Sequence, residues 1–159
     1  MTLYKYGGTR YEAVAPAGVN VRDHGATGDG STDYTAAINV AIQFAVDSGI
    51  RTVIVPDGTY MIQAHDPDWT VEQDQNVVFY TGPFPGGIVM QSGIHLSLSG
   101  GATLKAIPND AKWYRIIGAA GVNNIEISGG TIEGDRSTHI GANGGEWGHG
   151  ISLLSATDV

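Results

Sequence analysis

Two stretches of this chain repeat one another 29 residues apart: SGIHLSLSGGATLKA from Ser92 and VNNIEISGGTIEGD from Val122, aligned so that Ser99-Gly100-Gly101 falls on Ser128-Gly129-Gly130. Self-similarity at a period of about 20 to 50 residues marks a solenoid, whose rungs bury their inner faces only by stacking on one another. Each copy is a short alternating run, as in Ile125 and Ile127, broken by turn glycines with no helix between. The repeat therefore predicts a coiled parallel sheet rather than alternating strands and helices. A third pass is expected to begin with GISLLSATDV and to break off at Val159.

A stack of parallel strands has open ends, where unpaired backbone groups and apolar side chains invite edge pairing. The segment RDHGATGDGSTDYTAAINVAI, Arg22 to Ile42, offers a plug. Ser31, Thr32 and Asp33 are helix N-cap types, and Ile38, Ala41, Ile42, Ala45 and Val46 follow at the spacing of one apolar helix face. Gly49 is a favoured stop. A helix from about Asp33 to Ser48 is thus expected to cap the first rung, followed in RTVIVPDGTYMI by a strand, a Pro-Asp-Gly turn and a second strand. Ligand motifs fit the glycine loop poorly. A dinucleotide fingerprint on Gly28 and Gly30 has Asp33 where its third glycine belongs, and Asp29 and Asp33 would fill the positive helix end that a phosphate needs. A Walker loop lacks its lysine, and a calcium loop from Asp23 has Gly25 and Tyr34 at ligand positions.

The run VNVRDHGATGDGSTDYTAAINVAIQFAVDSGIRTVIVPDGTYMI resembles the N-terminal signature of the pectate lyase superfamily, which includes rhamnogalacturonases, family 28 glycoside hydrolases, mannuronan epimerase-like proteins and many phage tailspikes. The resemblance extends from Val19 to about Val159 and is strongest in GATGDGSTDYTAAI together with VPDGTY. It implies an all-β fold, a right-handed parallel β-helix with an N-terminal capping α-helix, over residues 19–159, with residues 1–18 as an N-terminal extension. It selects no reaction, because hydrolases, lyases, epimerases and binding spikes share the signature. GHGISL, Gly148 to Leu153, is similar to the Gly-His-Gly signature of polygalacturonases and makes His149 a candidate substrate contact. The Asn-Thr-Asp triplet and Asp-Asp pair that accompany it in that family are absent.

Composition narrows the partners. With no cysteine there is neither a disulfide nor a Cys-based zinc site. A net charge of -8, with eight scattered Lys and Arg, argues against nucleic acid and against an anionic membrane surface. No apolar run approaches the roughly 18 residues that span a bilayer. MTLYKYGGTRYEAVAPAG lacks the apolar centre of a signal peptide, so with Met1 as the start no cleaved leader is encoded, and the expected place is extracellular or on a virion.

The polar loop GDRSTHIGANGGEWGHG is where function is expected to collect on a solenoid. Glycoside chemistry needs two carboxyl groups about 5 to 10 Å apart across the sugar bond. Asp135 and Glu146 are the best pair for that role. Arg136 suits a sugar carboxylate, Trp147 a pyranose face, and His139 and His149 complete the candidate substrate contacts. No cofactor is expected. The acidic stretch HDPDWTVEQDQN, with Asp66, Asp68, Glu72 and Asp74, has calcium-type oxygens but reads better as a solvated excursion. The partner implied is a polysaccharide, pectin- or polyuronate-like, cleaved by hydrolysis or β-elimination. A non-catalytic tailspike or cell-surface module is the alternative, and a tailspike would be a homotrimer. Two passes and a fragment make a short groove, so these 159 residues alone are expected to be inactive.

Overall fold

The computed structural model describes residues 4–6, 9–11, 18–65, 86–111, 113–140 and 147–159. Among them the chain is β apart from one α-helix and a 3-10 turn. Strands β1 (Tyr4–Tyr6) and β2 (Thr9–Tyr11) pair antiparallel. Then come β3 (Val19–Asn20), the 3-10 turn (Val21–His24), β4 (Asp29–Asp33) and helix α1 (Thr35–Asp47). Nine strands follow: β5 (Thr52–Val55), β6 (Gly58–Ile62), β7 (Ile88–Val89), β8 (His95–Leu98), β9 (Ala102–Ala106), β10 (Trp113–Ala120), β11 (Glu126–Ser128), β12 (Thr131–Glu133) and β13 (Trp147–Leu154).

All pairings of β3 to β13 are parallel, and their order makes a coil. One sheet runs β3-β5-β8-β11, a second β4-β6-β9-β12 and a third β7-β10-β13. From β5 onward the chain visits the three sheets in turn and returns one strand further along each. The alternating sequence predicts this, because period-2 runs bury one face only. Val53 and Leu96 are fully buried and stack in register with the half-buried Ile127, and Tyr60 and Leu104 stack likewise with Ile132. A buried side chain such as Leu96 or Leu104 contributes about 1.5–3 kcal/mol by leaving water, and the half-buried Ile127 and Ile132 contribute less.

The register corrects the repeat. Ser97 pairs with Ser128, 31 residues on, whereas Thr103 pairs with Thr131, 28 residues on. The 29-residue alignment falls between the two because the stretches between these paired positions differ by three residues, Leu98 to Ala102 in one pass and Gly129-Gly130 in the next. Gly129 sits at φ 72° with its α-carbon against the Leu98 carbonyl, a place no side chain can share. The segment GISLL also belongs elsewhere. It lies in β13 beside β10, so it continues the third sheet, and the next pass of the first sheet is marked by the bridge from Asn123 to Thr157.

Helix α1 starts one residue beyond the expected caps. Ser31, Thr32 and Asp33 lie in β4, which pairs with β6, and Tyr34 takes the N-cap position without a side-chain bond. The two carboxylates still serve the turn: Asp29 accepts from the N–H groups of Ser31 and Thr32, and Asp33 from the N–H of Thr35. Gly28, at φ 77°, lies under the Tyr60 ring, where a β-carbon would collide. At the other end the Ile50 N–H reaches the Ala45 carbonyl and the Gly49 N–H the Val46 carbonyl, a Schellman closure with Gly49 at φ 67°.

Ile38, Ala41, Ile42 and Ala45 are fully buried, whereas Val46 is 37% exposed. At 100° per residue Val46 lies about 80° round from Ile38, at the margin of the stripe, so the expected face loses that member. Beside it runs a polar stripe at four-residue spacing. Thr35 Oγ1 accepts from the Gln63 N–H, Asn39 donates to the Gly87 carbonyl and accepts from the Val89 N–H, and Gln43 accepts from Gln91. Among the described residues β7 is the edge strand of its sheet, and Asn39 makes the bonds that a neighbouring strand would make.

Candidate functional site

After β12 the chain turns back against the segment that precedes β10, and this contact gathers most of the candidate loop. The Asp135 carbonyl accepts from the Thr138 N–H at 2.7 Å, closing a tight turn, and the Ile140 N–H reaches the Asn109 carbonyl at 2.9 Å. Arg136, Ser137 and Thr138 face solvent on that turn. Asp135 points the other way.

The Asp135 side chain is fully buried, and one of its oxygens, Oδ2, accepts from the Asn109 N–H at 3.0 Å, from Asn109 Nδ2 at 3.1 Å and from His139 Nδ1 at 2.9 Å. Its N–H donates to the Tyr114 hydroxyl at 3.2 Å. The His139 ring is also buried, and among the described residues its Nε2 and the second Asp135 oxygen have no hydrogen-bond partner. With Nδ1 donating, the imidazole is held in one tautomer. Burial pushes the Asp135 carboxyl up, but the Tyr114 hydroxyl, the Asn109 N–H and His139 outweigh it and leave it below the usual carboxylate range. Burial, and then the Asp135 carboxylate, raise the Tyr114 phenol.

β13 brings in the remaining candidates. Trp113 and Arg115 of β10 lie in register with Trp147 and His149, one strand apart at about 4.8 Å. Arg115 is buried, Trp113 is 37% exposed and His149 is exposed. The glycine before His149 has a structural cause: a β-carbon on Gly148 would fall inside the Tyr114 ring. Half of the Gly-His-Gly signature is thus set by packing against Tyr114.

Of the sequence candidates, the structure brings Asp135 and His139 together, sets Arg136 on the exposed side of their turn and places His149 on the neighbouring strand. Asp135 does not pair with Arg136; its partners are Asn109 and His139. Glu146 lies outside the described residues, as do Asp66, Asp68, Glu72 and Asp74, and Trp147 is described in its backbone only. Asn109, Tyr114, Trp113 and Arg115 escaped the sequence reading, which followed the Ser-Gly-Gly repeats and left the third sheet unaligned. The polar and aromatic cluster in NDAKWYRIIG was the available signal. Among the described residues no three His, Asp or Glu converge as a metal site, and no helix is long and apolar enough to cross a membrane.

Comparison with known proteins agrees with this architecture. Residues 18–79 match the family described as rhamnogalacturonase A/epimerase, pectate lyase-like. The uncharacterized protein YclG of Bacillus subtilis (strain 168) is 34% identical over 146 residues, which span 89% of this chain and 24% of YclG. Mannuronan C5-epimerase AlgE2 of Azotobacter vinelandii is 30% identical over 128 residues, 77% of this chain and 11% of that protein. The solved A-module of the Azotobacter vinelandii mannuronan C-5 epimerase AlgE6 superposes with a TM-score of 0.61 at 24% identity, over 85% of this chain and 32% of the module, a likeness of fold. Residues 18–79 thus carry the signature of the pectate lyase superfamily. It spans about a quarter of YclG and about a ninth of AlgE2.

Proposed function

We propose that the chain forms the cap and first rungs of an extracellular carbohydrate-active β-helix protein that modifies an acidic polysaccharide. Its coil is read as right-handed, with α1 as the cap of residues 19–159 and residues 1–18 as an extension. The observation that carries the reading is the alignment with a mannuronan C5-epimerase over 77% of the chain. The exposed groups of the site fit such a polymer. Arg136 offers a forked cation for a uronate carboxylate, and His149, opposite Arg115 and diagonal to the exposed Trp113 across the sheet, an imidazole near an aromatic face.

β-Elimination and C5 epimerisation of a uronate both begin by removing the proton next to the carboxylate. A site for either needs a base and a cation that stabilises the charge passing onto that carboxylate. Hydrolysis would instead need the pair Asp135 and Glu146, and the burial of Asp135 weighs against its reaching a glycosidic oxygen. The test is incubation with alginate, polygalacturonate and a neutral glucan, following unsaturated ends, reducing ends and the uronate epimer ratio by NMR. Turnover or selective binding of an acidic polymer supports the proposal. Selective binding without turnover still supports it, because the short groove of these 159 residues is expected to be inactive alone, whereas equal binding of the neutral glucan or no binding to any polymer refutes the proposal.

A further inference from the structure

We infer that Asp135, Asn109 and His139 are positioning residues: they anchor the turn that presents Arg136, and so make this corner of the coil selective for carboxylated sugars. The inference rests on the polysaccharide reading above and adds to it the element that distinguishes a uronate from a neutral sugar.

Charge is the first part of the argument. The chain carries a net charge of -8, which repels a polyanion at long range, so a polyuronate needs a local cation that is free of an internal partner. Lys105 is bound to Glu133 at 2.7 Å, Arg22 donates to the Asp57 carbonyl, and Arg115 is buried. Arg51 and Arg136 are both exposed, and among the described residues neither has an ion pair; of the two, only Arg136 lies on the turn after β12, in the polar loop that leads to β13.

The neighbouring carboxylate explains why. An Asp beside an Arg on an exposed turn would ordinarily neutralise it. Asp135 is instead turned inward, where three donors converge on a single oxygen and its N–H is held by Tyr114. The four-residue step from Asp135 to His139 returns the chain to the same buried point, so both ends of the turn are fixed and Arg136 is held outward. Such a clasp lowers the entropy lost when a side chain grips its ligand, which is how preorganisation raises affinity. A bidentate guanidinium contact with a carboxylate then gives selectivity over neutral sugars, because those lack the anion.

The test measures the affinity of the 159-residue chain for oligouronates and for matched neutral oligosaccharides by titration calorimetry. Arg136→Gln should weaken oligouronate binding at least tenfold with an unchanged melting temperature, and Arg136→Lys should recover part of it. His139→Gln and Asp135→Asn should lower the ratio of uronate to neutral affinity several-fold. A merely structural loosening would lower both affinities together and leave the ratio where it was. If Asp135→Asn fails to fold, His139→Gln decides alone. A wild-type chain that binds uronates while Arg136→Gln binds them equally well, or while both clasp variants keep the wild-type ratio, overturns the inference but not the proposed function. A wild-type chain that binds no polysaccharide overturns both.

Discussion

Asn39 is the most informative residue to change, because one side chain stands in for a missing strand. Its amide donates to the Gly87 carbonyl at 3.1 Å and accepts from the Val89 N–H at 2.9 Å, closing the free edge of β7. Asn39→Leu keeps the branched shape and the number of heavy atoms and removes both bonds. Each buried group left without a partner costs about 1–3 kcal/mol, but the Val89 bond is solvent-accessible and water recovers much of it, so about 1.5–3 kcal/mol in total is expected. For a chain of 159 residues each kcal/mol is worth about 2–4 °C, which places the melting temperature roughly 3–12 °C below wild type. Asn39→Asp keeps the acceptor for Val89 but sets a carboxylate against the Gly87 carbonyl, and should cost at least as much. Thermal unfolding followed by circular dichroism gives these numbers, and light scattering reports the second effect, faster self-association through an exposed edge. An Asn39→Leu protein within about 0.3 kcal/mol of wild type and no more prone to associate would refute the edge-closing role.

Other expectations are independent of that edge. Ile42→Ala should cost about 2–4 kcal/mol because its side chain is fully buried, while Val46→Ala at 37% exposure should cost less than about 1 kcal/mol; equal losses in chemical denaturation would contradict the helix orientation. The Asp135 carboxyl lies below its usual range when folded, so its stabilisation is present above about pH 4, the unfolded value, and is lost as pH falls through the folded one. The stability gap between wild type and Asp135→Asn should therefore be full at pH 6 and shrink below about pH 4, and a gap that stays constant to pH 2 would show that the clasp does not need the charge. Gly148→Ala should destabilise by about 1–3 kcal/mol through the Tyr114 ring, and Gly148→Ala combined with Tyr114→Ala should show a coupling of about 1 kcal/mol or more in a double-mutant cycle.

The legible part of the fold was its periodicity. Alternating β-branched runs and turn glycines specify strands that bury one face, and the helix announced itself through Ile38, Ala41, Ile42 and Ala45 at helical spacing. What the sequence hid was register. Ser-Gly-Gly occurs at two corners of different length, so aligning the text by its repeated letters set Ser99 on Ser128 where the backbone pairs Ser97 with Ser128. The strand Asp29–Asp33 escaped notice because every residue in it is exposed and polar, leaving no alternation to read. The site divides in the same way. Its loop was visible as a polar stretch, but the burial of Asp135 depends on Asn109 and Tyr114, more than 20 residues earlier, and only the coil brings them together.

The unequal corners carry a meaning for how such chains change over time. Successive positions on this coil are one strand spacing apart in space, yet 28 residues apart in sequence at Thr103 and Thr131 and 44 at Gly58 and Ala102. A corner stands outside the hydrogen-bonded ladder, so doubling its length adds only about 0.6 kcal/mol of closure entropy. Corners therefore behave as sockets: one can lose three residues, and another can grow into a recognition loop, without disturbing the ladder above or below. Recognition surfaces on this scaffold can be exchanged one socket at a time, and a search for a fixed repeat length will miss relatives that differ only in what is plugged in.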